Sequence, residues 1–172
     1  MKIPFKMGLL KVRHIFPRYI IIHHTFCTYS INPAVRVDNA AFQVKKLSTE
    51  VLEQKTPDLN YHVIVEQIGE EFYAFMARPT NTLCTFDDIN PGLNNVSLHV
   101  AVLGNYDLKI PVPRLYEVLA YRVLNPLARS FHIPEKRIKF HSEVSTDKEQ
   151  TCPGSFLDKN VVIAMRRKYM KK

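Results

Sequence analysis

The sequence predicts a mixed α/β fold, a single β-sheet flanked by helices, and three observations lead there. Short runs rich in β-branched residues, such as "YIII", "HVIV" and "VSLHVAV", alternate with longer stretches whose apolar residues recur at helical spacing. In chain order these read β-α-β-β-loop-β-α-β-α, a succession that suits one mixed sheet covered by helices. No repeat, low-complexity segment or linker interrupts the 172 residues, and 46% hydrophobic composition is enough for a core, so residues 1–172 are expected to form one domain.

The first strand is expected over about 18–24, where three isoleucines run into two histidines. Beyond the turn containing "SINPAV", Val37, Ala40, Ala41, Val44, Leu47, Val51 and Leu52 mark an amphipathic helix that ends before Pro57. "YHVIVEQ" and "EFYAFMA" form a hairpin around Gly69, with Phe72 and Phe75 assigned to the core. The stretch "RPTNTLCTFDDINPGLNN" is a long polar loop, of the kind that often carries function. "VSLHVAVLG" is a central strand, and the helix after it presents Leu115, Val118, Leu119, Val123 and Leu127 on one face, with Pro126 expected to kink or end it. A short strand around "RIKF" and a last helix from about Asp158 complete the chain.

A formal charge of +8 points to an anionic partner without choosing among nucleic acid, a membrane surface and an acidic wall polymer. In the last helix Arg166, Arg167 and Lys168 equally serve the helix dipole and solubility. Three scattered cysteines, Cys27, Cys84 and Cys152, exclude a dense disulfide framework and leave at least one thiol free. The basic N-terminus is broken by Lys11, Arg13, His14, Pro17 and Arg18 and has no small-residue cleavage site, so no signal peptide is read; synthesis in the cytoplasm is expected, with release to a cell wall left open. No stretch approaches the roughly 20 apolar residues of a spanning helix.

Imidazoles at the end of an apolar strand need hydrogen-bond partners or a metal. A catalytic zinc site takes three donors and keeps a position for water. Candidates are His23 or His24, His141 and Cys152; adjacent strand residues point to opposite faces, so one local site uses only one of the histidine pair. Ten residues separate His141 from Cys152, too many for a zinc-finger knuckle. The structural alternative makes His24 and His99 buried strand histidines and Cys152 a small apolar residue.

The segments "IIIHHT", "DLNYHVIV", "NNVSLHVAVLGNYD" and "FHSEV…TCPG", in this order, resemble the zinc-dependent N-acetylmuramoyl-L-alanine amidases of the type-2 family, which includes phage lysozyme-type amidases and peptidoglycan recognition proteins. The resemblance runs from Tyr19 to Phe156 and implies a mixed sheet with a Zn2+ ion in a groove on one face. It implies His23, His141 and Cys152 as the metal ligands, His24 as the neighbour that is not one, and Tyr61 as the hydroxyl that contacts the reacting water. The loop before Cys152 is longer than in relatives. Gln150 stands where phage relatives have lysine, and Lys148 nearby is the second candidate for that role.

What the resemblance implies for function is hydrolysis of the amide between N-acetylmuramic acid and L-alanine in peptidoglycan, with Gln150 or Lys148 assisting at the oxyanion. Glu143 is either a base or a solvated carboxylate. The partners expected are peptidoglycan or muropeptide and anionic wall polymers, with no nucleic acid and a monomeric protein. A peptidoglycan-binding module that does not cut is the rival reading. A zinc-stabilised nucleic-acid binder lacks the finger spacing and aromatic motifs it would need.

Overall fold

The structure is a computed structural model, and it describes residues 12–25 and 60–170. The helix expected over Val37–Leu52 and the thiol of Cys27 lie outside the described residues.

Among the described residues five strands form one mixed sheet: β1 (Tyr19–His24), β2 (Val63–Ile68), β3 (Glu71–Met76), β4 (Ser97–Val102) and β5 (Ile138–Phe140), in the order β3-β2-β4-β1-β5. Only the β2–β3 hairpin is antiparallel; the β2–β4, β4–β1 and β1–β5 pairs are parallel. This explains the three isoleucines. A strand flanked on both sides by parallel neighbours is covered on both faces, and Ile20, Ile21 and Ile22 are all fully buried, each contributing about 1.5–3 kcal/mol. Gly69, at φ 64°, turns the hairpin in a conformation that glycine adopts without strain.

Alternation along the strands divides the chemistry between two faces. Ile20 and Ile22 of β1, Val63 and Val65 of β2, Leu98, Val100 and Val102 of β4, and Ile138 and Phe140 of β5 all enter one apolar core. The opposite face receives His23 and His99. Phe72 joins the core, whereas Phe75 is half-buried on the edge strand beside Tyr73.

That core is covered by a long helical rod and a C-terminal helix. The rod begins as α2 (Pro113–Val118), passes through a π-helical turn (Leu119–Leu124) and continues as α3 (Asn125–Ser130). Pro126 therefore does not end the helix. The π register, in which the Asn125 N–H reaches the Ala120 carbonyl, takes the chain into a new first turn where a proline needs no N–H partner. Leu115, Leu119 and Val123 pack inward. The C-terminal helix, α4 (Lys159–Met170), starts where Asp158 accepts a bond from the Asn160 N–H at 2.7 Å. Among the described residues no helix is long and apolar enough to cross a membrane.

The long polar loop holds one element that composition concealed. Asn90 accepts the Gly92 N–H at 2.8 Å, Pro91 occupies the first turn, and a short helix, α1 (Pro91–Asn95), leads straight into β4.

Candidate metal centre

Parallel sheets present their functional residues at the carboxyl ends of the strands. His23 sits at that end of β1, and His141 directly follows β5. Cys152 is brought over by the loop that follows. The donor atoms of His23, His141 and Cys152 lie within 4.8 Å of one another, and all three side chains are buried. His23 Nδ1 is 3.9 Å from Cys152 Sγ, close to the separation of about 3.6 Å that two ligands at zinc bond lengths adopt in a tetrahedron. Two imidazoles and a thiol of this spacing are a donor set that zinc fits.

The chain holds the cysteine in place with several bonds. Asp107 accepts Thr151 Oγ1 and the Ser155 backbone and hydroxyl, each at 2.8 Å, clamping the turn on both sides of Cys152. The Ser142 N–H donates to the Cys152 carbonyl at 2.8 Å, tying that turn to His141. Gly154 has φ 104°, and a Cβ there would stand 2.4 Å from the Tyr106 carbonyl carbon, so no other residue fits. Cys152 Sγ accepts the His24 N–H at 3.3 Å.

His24 takes the other face, as strand alternation requires. Its Nδ1 accepts the Tyr106 N–H at 3.1 Å and its Nε2 lies 3.9 Å from Asp107. It serves the loop that clamps Cys152.

Burial governs the electrostatics. It drives the His23 imidazole well below its ordinary range, with His141 and His24 adding to the effect, and it pushes the Cys152 thiol up to about 12 against the opposing His24 N–H. His141 is also lowered by burial, which the Asp88 carboxylate opposes. Neutral imidazoles beside a thiol that needs a cation to ionise are the state in which a divalent metal binds with release of one proton.

Two residues of this site carried no signal in the sequence. Asp88 and Phe86 both come from the long polar loop. Asp88 Oδ2 is 2.9 Å from His141 Nε2, off the direction of the ring N–H, and accepts Ser145 Oγ at 2.7 Å and Gln150 Nε2 at 3.3 Å. The Phe86 ring stacks on His23 at 4.4 Å and on His99 at 4.8 Å. The Tyr61 ring stands 5.5 Å from that of His23 and 5.6 Å from that of Phe86, and its side chain is half-buried.

Gln150 uses both ends of its amide inside the loop, Nε2 on Asp88 and Oε1 on the Cys152 N–H at 3.1 Å. Lys148 is exposed on the same loop. Glu143 accepts the Phe140 N–H at 2.7 Å and pairs with Lys159 at 2.5 Å, a structural assignment for that carboxylate. Of the basic run in α4, Arg166 is buried and, like Arg167, bonds to Glu135.

Residues 13–155 match the family described as N-acetylmuramoyl-L-alanine amidase, and the chain belongs to that family. No curated protein matches its sequence. Among solved structures it is similar to the endolysin amidase LysCS from Clostridium intestinale URNW, at 19% identity and a TM-score of 0.69, covering 95% of this chain and 91% of that one. The Ph2119 endolysin from Thermus scotoductus MAT2119 bacteriophage Ph2119 is similar at 22% identity and 0.65, covering 94% and 92%. Bumblebee PGRP-SA reaches 0.70 at 17% identity, covering 94% and 88%.

Proposed function

We propose that this protein is a zinc-dependent amidase that cleaves the bond between N-acetylmuramic acid and L-alanine in peptidoglycan, with His23, His141 and Cys152 as the zinc ligands and residues 1–172 acting as one catalytic domain. The observation that carries this reading is the convergence of two neutral imidazoles and a thiol, from three separate segments, at one buried point. Family membership supports the substrate class. A zinc ion held there supplies Lewis acidity toward the scissile carbonyl and acidifies a bound water.

The remaining work falls to the chain. Tyr61 orients the attacking water through its hydroxyl and donates to the carbonyl oxygen as negative charge develops there. Asp88 places its carboxylate beside His141 and holds the loop before Cys152. Gln150 has one amide hydrogen left beyond its bond to Asp88, and Lys148 has a whole ammonium group, so the second oxyanion donor comes from this loop. The basic surface steers the protein toward anionic wall polymers.

One observation favours a second reading, a module that binds peptidoglycan without cutting it: Gln150 is engaged in the loop and brings no positive charge. Metal analysis of the purified protein, together with release of L-alanine-terminated peptide from purified sacculi, separates the two. Zinc with release is the amidase; muropeptide binding without release is the receptor.

A further inference from the structure

We propose that His99 is a positioning residue for the metal site, fixing which nitrogen of His23 faces the ion. The inference rests on the zinc reading above and extends it to a residue that the resemblance leaves unassigned.

His23 Nε2 lies 2.9 Å from His99 Nδ1, and both side chains are buried to within 1%. Only one proton fits between two nitrogens at that distance. If His99 supplied it, His23 would carry its own proton on Nδ1, the atom that faces Cys152 Sγ, and would have no lone pair to give a metal. Metal binding therefore selects the other arrangement, in which His23 Nε2–H donates to His99 Nδ1. His99 is then protonated on Nε2.

The surroundings fix the backbone at His99 and cover its ring. Its backbone N–H donates to His62 Nδ1 at 2.9 Å, and its carbonyl accepts the His62 N–H at 2.8 Å. His62 Nε2 in turn stands 3.1 Å from the Thr82 carbonyl. Phe86 stacks over both His99 and His23, at interplanar angles of 29° and 17°.

His99 is also a costly choice for its place. It is fully buried in β4, and among the described residues its Nε2 has no hydrogen-bond partner. An apolar residue would fill the position without that penalty but would leave the His23 N–H without an acceptor. Acceptors of this kind on metal-bound histidines set ring orientation and ligand basicity.

Two variants separate the role from packing. His99→Leu keeps the bulk and removes the acceptor; His99→Asn restores an acceptor oxygen near the position of Nδ1. Zinc affinity is read by chelator competition, the coordination sphere by the visible spectrum of the cobalt-substituted protein, and fold by melting of the metal-free form. Expected are a loss of affinity of about 10-fold to 100-fold in His99→Leu with an altered cobalt spectrum, and substantial recovery in His99→Asn. If wild type takes up no zinc, the amidase reading itself fails. If wild type binds zinc and folded His99→Leu binds it equally well, or His99→Asn recovers nothing, the positioning role alone is wrong. Should neither variant fold, long-range 1H–15N spectra of zinc-loaded wild type decide: a His99 proton on Nε2 with a bare Nδ1 supports the role, and a proton on Nδ1 overturns it.

Discussion

Asp88 Oδ2 lies 2.9 Å from His141 Nε2 and accepts the Ser145 hydroxyl at 2.7 Å, so one carboxylate joins the loop before β4 to the loop that follows β5. The Thr146 N–H adds a bond to the Asp88 carbonyl at 2.7 Å, and Ile89 pairs with Ser145 as an isolated bridge. The segment before Cys152 is thus folded back onto Asp88. Asp88→Asn should weaken zinc binding by about 10-fold to 100-fold in chelator competition, whereas the exposed neighbour Asp87→Asn should leave it unchanged. Equal effects in the two variants would remove Asp88 from the site.

Glu143 should behave oppositely. Its partners, the Phe140 N–H and Lys159, are structural, and the ion pair is about a third exposed. Glu143→Gln should therefore keep turnover close to wild type while lowering stability by about 0.5–1.5 kcal/mol in denaturant titration.

The two oxyanion candidates are separable by kinetics. Tyr61→Phe should retain zinc and muropeptide affinity but lower kcat by on the order of 10²-fold, the usual effect of losing one donor. Lys148→Ala should fall comparably if the ammonium group supplies the second donor, and Gln150→Lys should then add little. A larger drop in Gln150→Ala reverses that assignment.

Acid should unfold the metal-free protein through His62 among other groups. Burial lowers its pKa from 6.5 to about 3, with the Thr82 carbonyl opposing and Arg13 and Arg78 adding to the shift. Because the folded value lies below the unfolded one, the unfolded chain binds the extra proton. Stability is complete above pH 6.5 and declines as pH falls from there toward 3. His62→Gln should reduce the slope of unfolding free energy against pH in that window by up to one proton, about 1.4 kcal/mol per pH unit. An unchanged slope would show that His62 does not titrate on unfolding.

Strands were legible because their signals are local: the isoleucines of β1, the hairpin at Gly69 and the central strand β4 all appear as expected. The opposite orientation of His23 and His24 followed from strand geometry alone. Asp88 and Phe86 were not legible, since they sit in a loop with no period and reach the site only through tertiary folding. Pro126 misled because its missing N–H is absorbed by a π turn, which depends on how the rod packs rather than on the proline. Glu143 and His99 were visible as residues but not as roles, because only the structure supplies the Lys159 and His23 contacts.

The most direct test of the central claim is one paired measurement: zinc content, and release of L-alanine-terminated peptide from purified sacculi, for wild type, His23→Ala and His24→Ala. The amidase account predicts about one zinc per wild-type chain with peptide released, loss of both in His23→Ala, and retained zinc in His24→Ala. Full zinc and cleavage in His23→Ala, or a wild-type protein that holds muropeptide and releases nothing, would contradict it.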